Sequence, residues 1–246
     1  MSLIGDKIGG YEIRELIGRG GMATVYKAFQ TSIGRDVAIK ILPPHPGLDA
    51  QFIERFKIEA ATIGQLQHPH ILPIIDYGDQ DGLLYLVMAY AGGGSLADVI
   101  AQGPLKPERV SRLLSPVAAA LDYAHQQGVV HRDIKPGNIL LDAGGNPLLA
   151  DFGIVKMLTG ESNLTGTALV GTPAYMSPEQ GQGDAVDGRA DVYALGVVIH
   201  EMLTGKPPFT HDSPMKIIMS HINEPLPPLD NLPDDIRSDV NEVIQQ

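Results

Sequence analysis

Three polar groups fall within six residues of the stretch His131-Arg132-Asp133-Ile134-Lys135-Pro136-Gly137-Asn138. The carboxylate of Asp133 can accept or orient a hydroxyl proton. The ammonium of Lys135 can neutralise charge on a phosphoryl group in transfer, and the amide oxygen of Asn138 can ligate Mg²⁺. Apolar Val129-Val130 and Ile139-Leu140-Leu141 flank the stretch. A loop this polar is costly to bury unless it acts on something polar. Thirteen residues after Asn138 comes Asp151-Phe152-Gly153, behind the apolar run Leu148-Leu149-Ala150. A carboxylate there supplies the hard oxygen that Mg²⁺ needs to bridge phosphates. Asp-Phe-Gly by itself marks a turn. At this distance after this loop, it points to metal-assisted phosphoryl transfer.

A second constellation lies near the start of the chain. Ile17-Gly18-Arg19-Gly20-Gly21-Met22-Ala23-Thr24-Val25 is a glycine-rich turn between two strand-like runs. Glycines let a backbone approach phosphates and aim N–H groups at them without a Cβ in the way. A dinucleotide fingerprint fits poorly, because a strand follows the turn and no helix opens there. Lys40 lies fifteen residues after Val25, near the end of the buried strand Val37-Ala38-Ile39-Lys40-Ile41-Leu42. Such a lysine ordinarily snorkels to water. Here Glu59, on the following helical segment, can pair with it and hold the ammonium toward phosphate oxygens.

The elements that must position these groups read as two lobes. Residues 11–42 are alternating strands, and Pro43-Pro44-His45-Pro46-Gly47 is a loop. Residues 50–66 have helical spacing, with Phe52, Phe56, Ala60, Ile63 and Leu66 on one face. Leu83–Met88 is another buried strand, and Ala91-Gly92-Gly93-Gly94 reads as a hinge. Residues 107–127 are helical, and Pro116 inside them predicts either a kink or a late helix start. Residues 190–204 form a second apolar helix. The expected architecture is α+β: residues 1–91 as a small antiparallel-sheet lobe with one main helix, and residues 92–246 as a mostly helical lobe.

The bulk composition of the 246 residues is that of a globular protein, 43% hydrophobic and 19% charged. The formal net charge of −11 argues against nucleic acid as the main partner. Without cysteine there are no disulfides and no thiolate metal sites. No apolar run is long enough to span a bilayer, and the N-terminus lacks the basic and apolar regions of a signal peptide. A cytoplasmic location is expected, with any membrane tether lying beyond residue 246. The eight histidines include no His-Glu-x-x-His pair, and they read as core or surface residues.

Together with Gly171-Thr172-Pro173-Ala174-Tyr175-Met176-Ser177-Pro178-Glu179-Gln180, these motifs resemble the eukaryotic-like protein kinases, and within them the bacterial Ser/Thr branch. The resemblance runs from about Tyr11 to the end of the chain. It implies the bilobal kinase fold, ATP and Mg²⁺ as cofactors, and protein Ser or Thr hydroxyls as acceptors. It makes Asp133 the catalytic base and Lys135 the mark of Ser/Thr specificity, with Thr172 contacting both. Asn138 and Asp151 hold the metal. Ile17, Gly18, Gly20 and Gly21 cover the phosphates. Lys40 contacts the α- and β-phosphates and pairs with Glu59. Ala89 and Ala91 offer backbone groups to adenine beside the gatekeeper Met88, and Val25, Ala38 and Leu140 sandwich the ring. Ile63, Ile74, His131 and Phe152 form a stacked spine, and Asp191 anchors the loop. Thr165 and Thr167 are the implied autophosphorylation sites, with Arg132 and Lys156 as phosphate partners. The implied partner for that step is a second copy of the chain, acting in trans within a homodimer.

Two departures accompany the resemblance. Ala23 replaces the third glycine of the phosphate loop, and Ala89 stands where Glu is frequent in the hinge. The chain is also expected to stop inside the helix that precedes the family's buried arginine partner of Glu179. The last helices of the large lobe would then be missing, with lowered stability or oligomers covering the gap. The alternative reading is a nucleotide-binding pseudokinase or scaffold, which predicts loss of Lys40, Asp133 or Asp151; all three are present. A small-molecule phosphotransferase would lack the Ser177-Pro178-Glu179 run.

Overall fold

The structure, a computed structural model, describes residues 3–20, 23–42, 50–153 and 173–229. The chain divides into two compact units, Met1–Gly92 and Gly93–Gln246.

The first unit is built on one antiparallel sheet of β1 (Lys7–Ile8), β2 (Tyr11–Arg19), β3 (Thr24–Gln30), β4 (Arg35–Leu42), β5 (Ile74–Gln80) and β6 (Leu83–Ala89), in the order β1-β2-β3-β4-β6-β5. Alternation sorts the side chains to two faces. Ile13, Tyr26, Ala28, Val37, Ile39, Ile41 and Val87 gather in one buried cluster. Fully burying an aliphatic side chain of this size contributes roughly 1.5–3 kcal/mol, so this face fixes the register. Residues directly opposed across a ladder share a face. The register pairs Lys40 with Val25 and with Leu86, and Ala38 with Met88. Val25, Ala38, Lys40 and Met88 therefore stand together on the face opposite the cluster. Helix α1 (Ala50–Gly64) buries Phe56, Ala60 and Ile63, spaced four and three residues apart, and packs against β5.

The second unit is mostly helical. It contains α2 (Leu96–Ile100), α3 (Pro107–Gln126), the hairpin of β7 (Ile139–Leu141) and β8 (Pro147–Leu149), α4 (Pro178–Gln182), α5 (Gly188–Thr204) and α6 (Pro214–Asn223). Helix α2 is short, but its entry is closed by a capping box in which Ser95 and Asp98 satisfy each other's backbone N–H. Those bonds hold the Asp98 carboxyl below its ordinary pKa.

Of the two outcomes expected for Pro116, the late start does not occur. Helix α3 begins at Pro107 and runs through Pro116. Proline at the first position has no helical N–H to lose. The buried stripe Val110, Leu113, Leu114, Val117, Ala120, Leu121 and Ala124 seats both halves on one core. That burial outweighs the roughly 3 kcal/mol of an internal proline. Helix α5 begins two residues before the expected start, because Asp187 caps it by accepting from Arg189 N, and Gly205 closes it in the left-handed region.

The glycines read as a hinge have a more specific role at Gly93. Its N–H donates to Leu141 O at 2.9 Å, and Leu141 N–H donates to Gly94 O at 2.8 Å. A Cβ on Gly93 would overlap the Asp142 carbonyl oxygen. The position requires glycine for close backbone approach. No helix among the described residues is long and apolar enough to cross a membrane.

Candidate active site

The loop that leads from α3 to β7 carries the densest chemistry of the second unit, and it is held by side chains rather than by a ladder. Asp191, on the first turn of α5, is 1% exposed. Its carboxylate accepts from His131 N and Arg132 N, each at 2.8 Å, and lies 2.8 Å from His125 Nε2. Three donors and a helix N-terminus suit a buried carboxylate that would otherwise be strongly disfavoured.

The His131 ring is fully buried and packs on Phe152, with centroids 4.5 Å apart. Asp133 N donates to His131 Nδ1 at 3.2 Å, so the proton sits on Nε2, which donates to Ala150 O at 3.0 Å. Burial lowers the His131 pKa and keeps the ring neutral, as this pattern requires.

The reactive groups sit on this frame. Lys135 Nζ donates to Asp133 Oδ2 at 2.8 Å. Asn138 Nδ2 donates to Asp133 Oδ2 at 2.9 Å and to Asp133 O at 2.8 Å. The amide donors of Asn138 are thus spent on Asp133, which leaves Asn138 its oxygen to offer as a hard ligand. Asn138 ends the tight turn Pro136–Asn138, directly before β7. The hairpin pairs Ile139 with Leu149, so Asn138 and Ala150 are the next residues outward on the two strands. Ala150 N donates to Asn138 O at 2.8 Å, and Gly153 N donates to His131 O at 3.0 Å. The hairpin therefore brings Asp151 beside the loop that carries Asp133 and Asn138. Leu140, half-buried on β7, forms an isolated bridge with Ser95.

Two residues of the site adopt a backbone that side chains avoid. Arg132 has φ 64° and Asp151 has φ 63°. The left-handed region costs roughly 1–2 kcal/mol for such residues, and strain of this kind concentrates at functional sites. Gln180 Nε2 donates to Arg132 O at 3.1 Å. His125 and Gln180 are parts of the frame that sequence reasoning did not single out.

In the first unit, the glycine-rich segment is a β2–β3 hairpin in which Arg19 pairs with Thr24 and Gly20 N donates to Ala23 O at 2.8 Å. Ile17 is 48% exposed. A Cβ on Gly18 would meet nothing within 4 Å, and one on Gly20 would make only an ordinary contact with Ala23 O at 3.5 Å. Neither glycine lies in the left-handed region. The fold itself does not require glycine at either position. Ala89 N donates to Pro73 O at 3.0 Å, so only its carbonyl remains to offer a ligand.

Lys40 lies on β4 and Glu59 on α1, both in the first unit. Gly21, Lys156, Thr165, Thr167 and Thr172 lie outside the described residues, as do residues 230–246.

Among the described residues, no three His, Cys, Asp or Glu side chains cluster as a cage for a metal ion. The donors at hand are one amide oxygen and one carboxylate, of Asn138 and Asp151. That set fits Mg²⁺, which keeps most of its shell for water and phosphate oxygens.

Residues 11–246 match the protein kinase domain family. The serine/threonine-protein kinase PknB of Mycobacterium tuberculosis (strain H37Rv) is 41% identical over 226 residues, which are 89% of this chain and 36% of that protein. PknH of the same strain is 44% identical over 228 residues, 92% of this chain and 36% of that protein. The chain thus spans about a third of the length of these relatives. The crystal structure of the Mycobacterium tuberculosis PknI kinase domain, a cysteine-to-alanine mutant, superposes with a TM-score of 0.76 at 31% identity, covering 99% of this chain and 91% of that one.

Proposed function

From the premise that this chain belongs to the protein kinase domain family, we propose that it transfers the γ-phosphoryl group of ATP to Ser or Thr hydroxyls of proteins. The observation that carries this reading is the Asp133 carboxylate bonded to both Lys135 and Asn138, on a loop anchored by Asp191. Mg·ATP supplies the electrophilic phosphoryl group and a diphosphate leaving group that departs as ADP. Asp133 receives the proton of the incoming hydroxyl as the new O–P bond forms. Lys135, already 2.8 Å from that carboxylate, offsets negative charge on the transferring oxygens. Asn138 and Asp151 are the residues that would hold Mg²⁺.

Lys40 would draw the α- and β-phosphates, and the hairpin backbone at Gly18, Gly20 and Gly21 would cover them. The absence of any packing reason for Gly18 and Gly20 supports that role. Val25, Ala38, Leu140 and Met88 would line the adenine, with backbone groups of Ala89 and Ala91 reading its edge. Thr172 would bridge Asp133 and Lys135. Phosphate on Thr165 or Thr167, added in trans by a second copy, would pair with Arg132 and Lys156 and raise turnover. The domain would work on the cytoplasmic side.

The second reading is a nucleotide binder without transfer. Intact mass after incubation with Mg-ATP, beside Asp133→Asn, separates the two. Added phosphate on the wild type alone is expected, and peptide mapping should find it on Thr165 and Thr167. No added mass on the wild type would reject the kinase reading.

A further inference from the structure

Arg132 stands one residue before the proton acceptor and keeps a backbone that a side chain disfavours, with φ 64°. Such strain persists only where the surroundings overdetermine it. Two side chains do so here. Asp191 accepts from the Arg132 N–H at 2.8 Å, and Gln180 Nε2 donates to the Arg132 carbonyl oxygen at 3.1 Å. The strained residue is clamped at both ends. Its carbonyl belongs to the peptide bond that leads into Asp133, whose N–H donates to His131 Nδ1 at 3.2 Å. The peptide group that carries Asp133 is thus held on its oxygen by Gln180 and on its N–H by a fully buried imidazole.

Gln180 reaches the loop from α4, across 48 residues, and its amide works in two directions. Oε1 accepts from Ser177 N at 3.1 Å and from Ser177 Oγ at 3.3 Å, which closes one half of the capping box of α4. Nε2 donates to Arg132 O. The reversed amide would set its oxygen against that carbonyl and its NH₂ against the Ser177 N–H, so only one orientation serves both contacts. The cap needs an acceptor alone, and a glutamate would supply it as well as a glutamine. Only the bond to Arg132 requires the amide. A donor that α4 does not need is therefore aimed at the carbonyl beside the proton acceptor.

We propose that Gln180 is a positioning residue for phosphoryl transfer: its Nε2–H holds the carbonyl of the strained Arg132 and so sets where Asp133 stands, without touching ATP or the acceptor hydroxyl. This inference rests on the kinase reading above. Loss of the donor lets Arg132 relax toward an ordinary backbone, which costs the fold little and moves the carboxylate. A glutamine that only braced the fold would behave differently, because its loss would lower stability and rate together.

The test uses the full chain and reads three quantities: the initial rate of phosphate gain by intact mass at saturating Mg-ATP, the KM for ATP, and the urea unfolding midpoint. Gln180→Glu keeps the acceptor for Ser177 and removes the donor to Arg132. It is expected to lower the rate roughly tenfold or more, with the KM for ATP within about twofold and the midpoint no lower than wild type. Ser177→Ala weakens the cap and leaves the donor, so it should lower the midpoint and keep the rate within about twofold. Gln180→Met, of similar length and uncharged, carries the test if the glutamate variant does not fold, and its rate should fall as far. A rate within about threefold of wild type in the Gln180 variants, a KM for ATP rising in step, or a rate that follows the midpoint across all three variants overturns the proposal while the kinase reading stands. A wild type that gains no phosphate rejects the kinase reading and this proposal with it.

Discussion

The glycine-rich hairpin and the loop from His131 to Asn138 are both short and polar, and both are assigned to phosphate, yet they are built in opposite ways. The hairpin rests on a ladder, with Gly20 N bonded to Ala23 O, an exposed Ile17 and open space above Gly18. The loop is held by a buried carboxylate, a neutral imidazole and an amide, each bonded to the backbone of the stretch it supports. A covering element can adapt to what it covers. A proton acceptor must stand in place before the reaction, since electrostatic and positional catalysis depend on preorganisation. The sequence types follow: glycine where backbone must be reached, and His, Asp and Asn where backbone must be fixed.

This contrast can be broken in measurable steps. Asp133→Asn should lower phosphoryl transfer by roughly 10²–10⁴-fold, with stability changed by less than about 1 kcal/mol, because the frame around it remains. Activity within tenfold of wild type would remove Asp133 from its role. Asp191→Ala should cost roughly 3–5 kcal/mol in denaturant unfolding, since it strands two backbone N–H groups inside the protein. Gly93→Ala should cost about 1–3 kcal/mol from overlap with the Asp142 carbonyl.

Acid should weaken the second unit through its buried histidines. Burial lowers the pKa of His131, His200 and His221, the first cause in each case. The folded state then binds these protons less tightly than the unfolded chain. Their contribution to stability is complete above the ordinary value of 6.5 and is lost as pH falls from there through the lowered folded values. Thermal melts should decline below that pH by up to about 1.4 kcal/mol per pH unit for each group. A flat profile would mean that these rings are not held neutral. At the small end, Gly18→Ala should change stability by less than about 0.5 kcal/mol while raising the KM for ATP. A large loss of stability would show that the fold needs this glycine after all.

What was legible in the sequence was what is local. Asp133, Lys135 and Asn138 sit within one loop, and a single hairpin carries the chain on to Asp151, so their spacing alone implied their meeting. That Val25, Ala38 and Lys40 share a face comes from the register of β3 on β4 and was not read from the sequence. Contacts across long separations were harder to read. His125 meets Asp191 across 66 residues, Gln180 meets Arg132 across 48, and His221 meets Ala174 across 47. No spacing rule encodes such pairs, and an isolated histidine or glutamine carries no signal of its own.

The β7–β8 hairpin has a consequence for how this chain can change length. Because Ile139 pairs with Leu149, the separation of Asn138 from Asp151 is set by strand register and not by the number of residues in between. The connecting turn is closed on itself by Asp142, which accepts from Gly144 N and Asn146 N. Insertions in that turn would bulge outward and leave Asn138 and Asp151 where they are. Deletion of one residue within either strand would slip the pairing, turn alternate side chains to the other face and separate Asn138 from Asp151 at once. Variation in length is thus steered into the turn, a few residues from groups that cannot move.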